Sequence, residues 1–309
     1  MSSGNAAATA GAHEPWTVHA ALLGAQTGFA LFPIFGKLAL TTIPALVLAA
    51  IRVVAAALLL EGARRIARAR ELEPADRKAV FLYGFLGVSL NQVLFILGLS
   101  LSTAINTTIL TATIPIFTLA IAVLLGHEKL SSRTAVGMAL ATAGALWLLN
   151  VHRFDWRSQT MRGNLMLLAN ALAYSLYLVL SRPILARYDV LTIVSRVFLY
   201  GALPILLFTA PVVASFDPRP VTKLSWMSLA AVILFCTVFP YAANSWALAR
   251  THASRVAFYV FVQPVIASVL AVAVLGETIT ARTVVAALLI FAGLAVSLVK
   301  GRLSARPLP

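Results

Sequence analysis

The chain is 309 residues long, 61% hydrophobic and only 11% charged, with a mean hydropathy of +0.93. A soluble domain is typically about 45–50% apolar and about 25% charged, so a water-soluble globule is excluded and most of the chain is expected in lipid. The net charge of +14 does not point to nucleic acid, because the basic residues fall in short loops between apolar runs and form no stripe on a soluble module.

In chain order, residues 1–15, rich in Ala, Gly and Ser, read as a loose tail with no basic segment of the kind that opens a cleavable signal peptide. A membrane helix needs about 20 mostly apolar residues. Ten such runs follow, at 16–38, 43–61, 79–99, 103–125, 134–150, 163–182, 190–212, 225–247, 254–275 and 283–300. They are continuous and do not alternate as membrane-barrel strands do, so the expected fold is an all-α membrane protein. Residues 301–309 form a short tail. The single cysteine, Cys236, lies inside the eighth run; it excludes an intrachain disulfide and a thiolate metal site and reads as a small buried hydrophobe.

Lys and Arg set the orientation. The loop EGARRIARARELEPADRK carries Arg64, Arg65, Arg68, Arg70, Arg77 and Lys78, the strongest basic cluster in the chain. Placing it in the cytoplasm puts both termini there as well. Fifteen of the 24 basic residues are then inside and seven outside, with Arg52 and Arg196 within helices.

Two stretches resemble each other at an offset of 149 residues. They are TIPIFTLAIAVLLGHEKLSSRTAVGMALATAGALWLL, from Thr113, and VQPVIASVLAVAVLGETITARTVVAALLIFAGLAVSLV, from Val262. Pro115 aligns with Pro264, Glu128 with Glu277, Arg133 with Arg282 and Gly144 with Gly293. Five helices separate equivalent positions. Five is odd, so the second copy enters the membrane upside down: residues 16–150 and 151–300 are expected to be two inverted five-helix repeats. Such halves can exchange conformations and turn an outward-open cavity into an inward-open one around a site near the midplane.

The paired cassettes, each with a Pro, a Gly-Glu or Gly-His-Glu end and then a Gly-bearing helix, resemble the EamA-type family of the drug/metabolite transporter superfamily. Within it they are similar to bacterial amino-acid and aromatic-amino-acid exporters. The resemblance covers nearly the whole chain. It implies ten helices, both termini in the cytoplasm of a bacterial inner membrane, and a cavity formed by helices 1–4 and 6–9. It also implies peripheral helices 5 and 10 that can serve a homodimer. The expected substrate is a small molecule, amino acids first, with no cofactor and no metal.

Polar residues are costly in a lipid-spanning helix unless they face protein or water. Stripes at helical spacing therefore mark candidate cavity walls. They are Gln26, Phe29 and Pro33; Asn91, Gln92 and Phe95; Thr107, Thr111, Pro115 and Thr118; Asn170, Tyr174, Tyr177 and Ser181; Tyr241, Asn244, Ser245 and Leu248; and Tyr259 with Gln263. Amide, hydroxyl and aromatic groups can bind zwitterions and apolar side chains alike, and they can equally serve as hydrogen-bonded glue between helices. Pro115 and Pro264 each free a backbone carbonyl one turn back, as a hinge or as a fixed bend. Arg52 lies about 13 Å into its helix at 1.5 Å per residue. It has no acidic partner within its own span, and is either a ligand for a substrate carboxylate or a structural cap.

Glu128 and Glu277 close the fourth and ninth runs, where a carboxylate can hold backbone amides or pair with Arg133 or Arg282. Ser131, Ser132 and Thr280 are candidate N-caps there. All ten acidic residues fall in tails, loops or helix ends, and the five histidines are also near ends. Proton pumps need an acid or His within the span, so uniport or exchange is expected, with His19 and His252 as alternatives for coupling. An intramembrane enzyme would need a catalytic set, and the chain has no HExxH, no GxSxG and no paired intramembrane carboxylates. A constantly open channel would leak. Drug pumps of this superfamily use a mid-membrane glutamate, which is absent, and sugar-phosphate exchange would need several cavity cations, for which Arg52 is the main candidate.

Overall fold

A computed structural model describes residues 16–126, 132–149, 157–251 and 253–298. Among the described residues the secondary structure is helical, with no strand. We number the helical segments α1 (Trp16–Ala39), α2 (Ala45–Ile66), α3 (Pro74–Leu101), α4 (Ala104–Leu124), α5 (Ser132–Leu149), α6 (Gln159–Leu185), α7 (Val190–Ala214), α8 (Lys223–Leu248), α9 (253–275) and α10 (Ala281–Leu298). Seven of them, α1–α4 and α6–α8, are long and apolar enough to cross a membrane, and Ala135–Leu148, Val262–Leu275 and Ala281–Gly293 are shorter apolar helices. Helices satisfy their own backbone polar groups, which is what hydrocarbon demands. Large side chains such as Leu58, Leu207, Phe235 and Leu288 project outward, as expected of a surface wetted by lipid.

The ends are set by local chemistry. The Thr103 hydroxyl accepts from the Asn106 N–H at 3.0 Å, Ser158 from Met161 at 3.3 Å, Thr222 from Ser225 at 3.2 Å and Thr280 from Thr283 at 3.2 Å. Each satisfies one orphan donor of a first helical turn.

Four helices are not the uninterrupted rods their hydropathy predicts. α4 breaks at Ala112–Thr113, so that Ala104–Thr111 and Ile114–Leu124 are separate helices. α9 has a 3-10 turn at Tyr259–Phe261 between Ala253–Phe258 and Val262–Leu275. In both, the helix restarts with a proline in its first turn, Pro115 and Pro264. The missing N–H costs nothing there, and proline's fixed φ suits the first turn. α3 and α8 contain π-helical turns, at Phe85–Leu90 and Leu234–Val238.

The main packing pairs are α5 with α10, α2 with α7, α3 with α6 and α7, α1 with α8 and α9, and α4 with α6 and α9. α5 and α10 cross closely. A Cβ on Gly144 would stand 2.9 Å from the Ala286 carbonyl oxygen, and one on Gly293 would stand 2.4 Å from the Gly137 oxygen and 2.7 Å from the Ala141 nitrogen. Cys236 is fully buried, beside Phe32, Ile43 and Val47 in one of the apolar clusters.

Candidate functional site

The middle of the bundle holds two hydrogen-bonded branches of polar side chains, nearly all buried, which meet where the Tyr174 and Tyr241 rings lie 6.3 Å apart. From α9, Gln263 donates its side-chain amide to the Gln26 carbonyl oxygen of α1. Gln26 Nε2 donates to Asn244 Oδ1 of α8 at 3.2 Å, and Asn244 Nδ2 donates to the Tyr174 hydroxyl of α6 at 3.2 Å. A second branch runs through α3. Gln92 Nε2 donates to the Tyr241 hydroxyl at 2.6 Å and to Asn91 Oδ1 at 2.8 Å. Tyr241 has the Gly87 carbonyl at 3.1 Å and Asn91 Oδ1 at 3.2 Å as acceptors. Asn170 Nδ2 donates to the Asn91 carbonyl at 2.8 Å.

Arg52 joins this branch. Its Nη1 donates to Gln92 Oε1, its Nε donates to the Thr237 hydroxyl at 2.6 Å, and its Cζ lies 3.8 Å from the centre of the Phe32 ring. Thr237 in turn donates to the Val232 carbonyl at 2.7 Å, inside the π-helical turn region of α8.

Aromatic rings enclose the set. Tyr241 meets Phe29 edge-on at 5.5 Å and Phe198 edge-on at 4.8 Å, and Tyr174 lies 5.8 Å from Tyr177 and 6.3 Å from Tyr241. The Tyr177 ring rests against the π-helical turn of α3: a Cβ on Gly87 would stand 2.6 Å from it, so only glycine admits the ring there. Buried polar groups must find partners, and a network in low dielectric is strong when every member is satisfied. Among the described residues, Thr118 Oγ1, Tyr177 OH and Ser181 Oγ are buried without a hydrogen-bond partner.

Of the residues singled out from the sequence, Gln26, Tyr174, Asn244 and Gln263 fall in the first branch and Arg52, Asn91, Gln92, Asn170 and Tyr241 in the second, and Phe29 and Tyr177 flank the resulting polar network. Thr107 and Thr111 do not join it. Their hydroxyls return to their own helix, to the Thr103 and Thr107 carbonyls at 2.7 Å each. Tyr259 pairs through its hydroxyl with His19 Nδ1. Glu277 lies at a helix end: its carboxylate accepts the Ala104 N–H at 2.8 Å and the Ile105 N–H at 3.0 Å, capping α4. Glu128 lies outside the described residues. Thr237 and Phe32 were not singled out. One hydroxyl in LFCTVF and one ring in FALFPIF carry no periodic signal.

Two further features sit at opposite ends of α3 and α6. Beside the α4 N-terminus is a cleft of about 510 Å³, its walls including Thr103, Asn106, Asn164, Glu277, Thr280 and Arg282. At the other end, the first turn of α3 and the loop before it are tied to the first turn of α7 and the loop before it. Asp76 accepts Arg187 Nη1 and Nη2 at 3.3 and 3.0 Å and the Tyr188 hydroxyl at 2.6 Å, and Thr192 Oγ1 donates to the Arg70 carbonyl at 2.6 Å. Nearby, the Glu61 carboxylate is held by Arg64 (2.9 Å), Arg65 (2.8 Å) and Arg196 (3.6 Å). Among the described residues, no cluster of three or more His, Cys, Asp and Glu side chains could hold a metal ion.

A model of the EamA-like transporter family matches residues 16–150 and again 161–299. An uncharacterized transporter of Archaeoglobus fulgidus is 27% identical over 67% of this chain and 71% of its own. The uncharacterized transporter YetK of Bacillus subtilis is 26% identical over 67% of this chain and 63% of its own. Protein WALLS ARE THIN 1 of Arabidopsis thaliana is 25% identical over 92% of this chain and 83% of its own. A solved crystal structure superposes with a TM-score of 0.68 over 96% of this chain and all of that one. At 19% identity the likeness is one of fold. Relatives named as transporters point to transport and away from catalysis.

Proposed function

The chain belongs to the EamA-like transporter family, and from that premise we propose that it exports amino acids or related small metabolites by alternating access. The observation that carries this is the make-up of the polar network. Gln26–Gln263, Gln26–Asn244, Arg52–Thr237, Gln92–Tyr241 and the Asn170–Asn91 bond each join a residue before 151 to one after it. A site built across the seam between two halves is remade when the halves move.

The halves are 16–150 and 151–300, two inverted five-helix repeats crossing the membrane ten times. Four observations support the repeat. The family model matches twice. The π-helical turns begin 149 residues apart, at Phe85 and Leu234. Pro115 and Pro264 restart broken helices at the same offset. Finally, adding five to each helix number maps the packing onto itself: α1 with α8 becomes α6 with α3, and α2–α7, α4–α9 and α5–α10 map onto themselves. Both termini face the cytoplasm of a bacterial inner membrane, since Lys and Arg favour that side. The outer faces of α5 and α10 are available to a second copy.

Charge placement favours uniport or exchange. Each described acid with an assigned contact is at a helix end or in a loop and is engaged there, as Glu61, Asp76 and Glu277 are. The His19–Tyr259 hydrogen bond favours a second reading, proton-coupled export, because it places an imidazole against a phenol at the edge of the bundle. Reconstituted protein, loaded with unlabelled amino acids and offered labelled Thr, Met, Lys, Glu and Trp, separates these. Saturable counterflow indifferent to a pH gradient is expected. Flux that requires the gradient would establish the coupled reading, and no flux of any amino acid would refute the substrate class.

A further inference from the structure

The geometry points to Arg52 as the recognition site for a substrate carboxylate, which limits the cargo to amino acids and organic acids with a free carboxyl group. This inference rests on the transport reading above and narrows its substrate class. Arg52 is 1% exposed. Its neighbours come from three helices and all are neutral: Phe32 on α1, Gln92 on α3 and Thr237 on α8. Among the described residues no carboxylate pairs with it and no hydrogen bond engages its Nη2. Glu61, on the same helix, is about 13 Å along the axis at 1.5 Å per residue and is held by Arg64, Arg65 and Arg196.

A guanidinium does not shed its proton in a protein. A buried charge without a counter-ion is destabilising, and hydrogen bonds to Gln92 and Thr237 orient the fork without neutralising it. The place in the network matters as much as the charge. Gln92 connects Arg52 directly to Tyr241 and Asn91, so an anion at Arg52 would lie at the seam between the halves. There it would supply the missing counter-charge and meet a planar fork suited to two-pronged carboxylate binding. A purely structural role for Arg52 makes the opposite prediction: its replacement changes stability and leaves ligand preference alone.

The test is thermal unfolding of the purified full chain with matched ligands: L-phenylalanine and L-methionine, the corresponding amines lacking the carboxylate, and the corresponding acids lacking the amine. A ligand that binds the folded state raises the unfolding temperature. Wild type is expected to respond to both carboxylate-bearing series and not to the amines. Arg52→Gln should need roughly 10- to 100-fold more ligand for the same shift, the range for a lost charge-assisted hydrogen bond. Arg52→Lys should fall between, since it keeps the charge and loses the fork; it also carries the comparison if Arg52→Gln does not fold. An unchanged response in Arg52→Gln, a response to amines alone, or no response of wild type to any carboxylate would overturn the assignment. The readout does not depend on flux. Binding of the amine-free acids without amino-acid counterflow would sink the amino-acid reading and leave the Arg52 assignment standing.

Discussion

Tyr241 combines three kinds of contact in one phenol: it accepts from Gln92, has backbone and amide acceptors on α3, and offers its ring to Phe29 and Phe198. Tyr241→Phe keeps the ring contacts and strands a buried amide hydrogen. It is expected to cost about 1–2 kcal/mol of stability in detergent. Thr107→Val removes a hydroxyl that bonds only its own helix and is expected to be near neutral; chemical denaturation of both variants measures the difference. The contrast marks what was legible in the sequence. Spacing along a helix placed Asn170, Tyr174 and Tyr177 on one face, and the structure turns that face inward. Spacing could not distinguish a threonine that reaches across helices, as Thr237 does, from one that folds back, as Thr107 does, because both lie in apolar runs. The partners of Arg52 were hidden for a related reason: they come from other helices, far away in sequence.

At the scale of elements, Gly144 and Gly293 hold α5 against α10 through backbone-to-backbone approach. Gly293→Val puts a side chain where the Gly137 oxygen and Ala141 nitrogen stand 2.4 and 2.7 Å from the Cβ position. Neither atom belongs to a flexible side chain, so the helices must part. A loss of about 1–3 kcal/mol, typical of overpacking, is expected in the same denaturation assay. The contact at Asp76, Arg187 and Tyr188 yields a pH signature. Hydrogen bonding to the Asp76 carboxylate, with burial, holds the Tyr188 phenol above its ordinary value. A raised value favours the neutral phenol in the folded state. The stabilisation is therefore complete below the ordinary phenol range of about pH 10 and is lost as pH rises through the raised value. Unfolding of wild type should converge on that of Tyr188→Phe above that range and exceed it below; a constant gap across the range would show that the phenol does not titrate there. The paired prolines were visible in the sequence, but the helix breaks before them and the π-helical turns were not. Hydropathy averages over a window and stays high through all four.

For the whole molecule, the cleft and the Asp76–Arg187–Tyr188 contact lie at opposite ends of the same helices, with the polar network between them. This is the arrangement expected of an alternating-access transporter that is more open at one end and tied shut at the other. On the proposed alternating-access reading, this network faces water from each side in turn and is not permanent glue between helices. It is tested by placing one cysteine at Asn244, with Cys236 replaced by alanine, and offering a membrane-impermeant thiol reagent to oriented vesicles from either side. The prediction is labelling from both sides, in separate preparations of each orientation. Labelling from neither side would contradict it and identify the network as packed structure, and labelling from one side only would contradict alternating access.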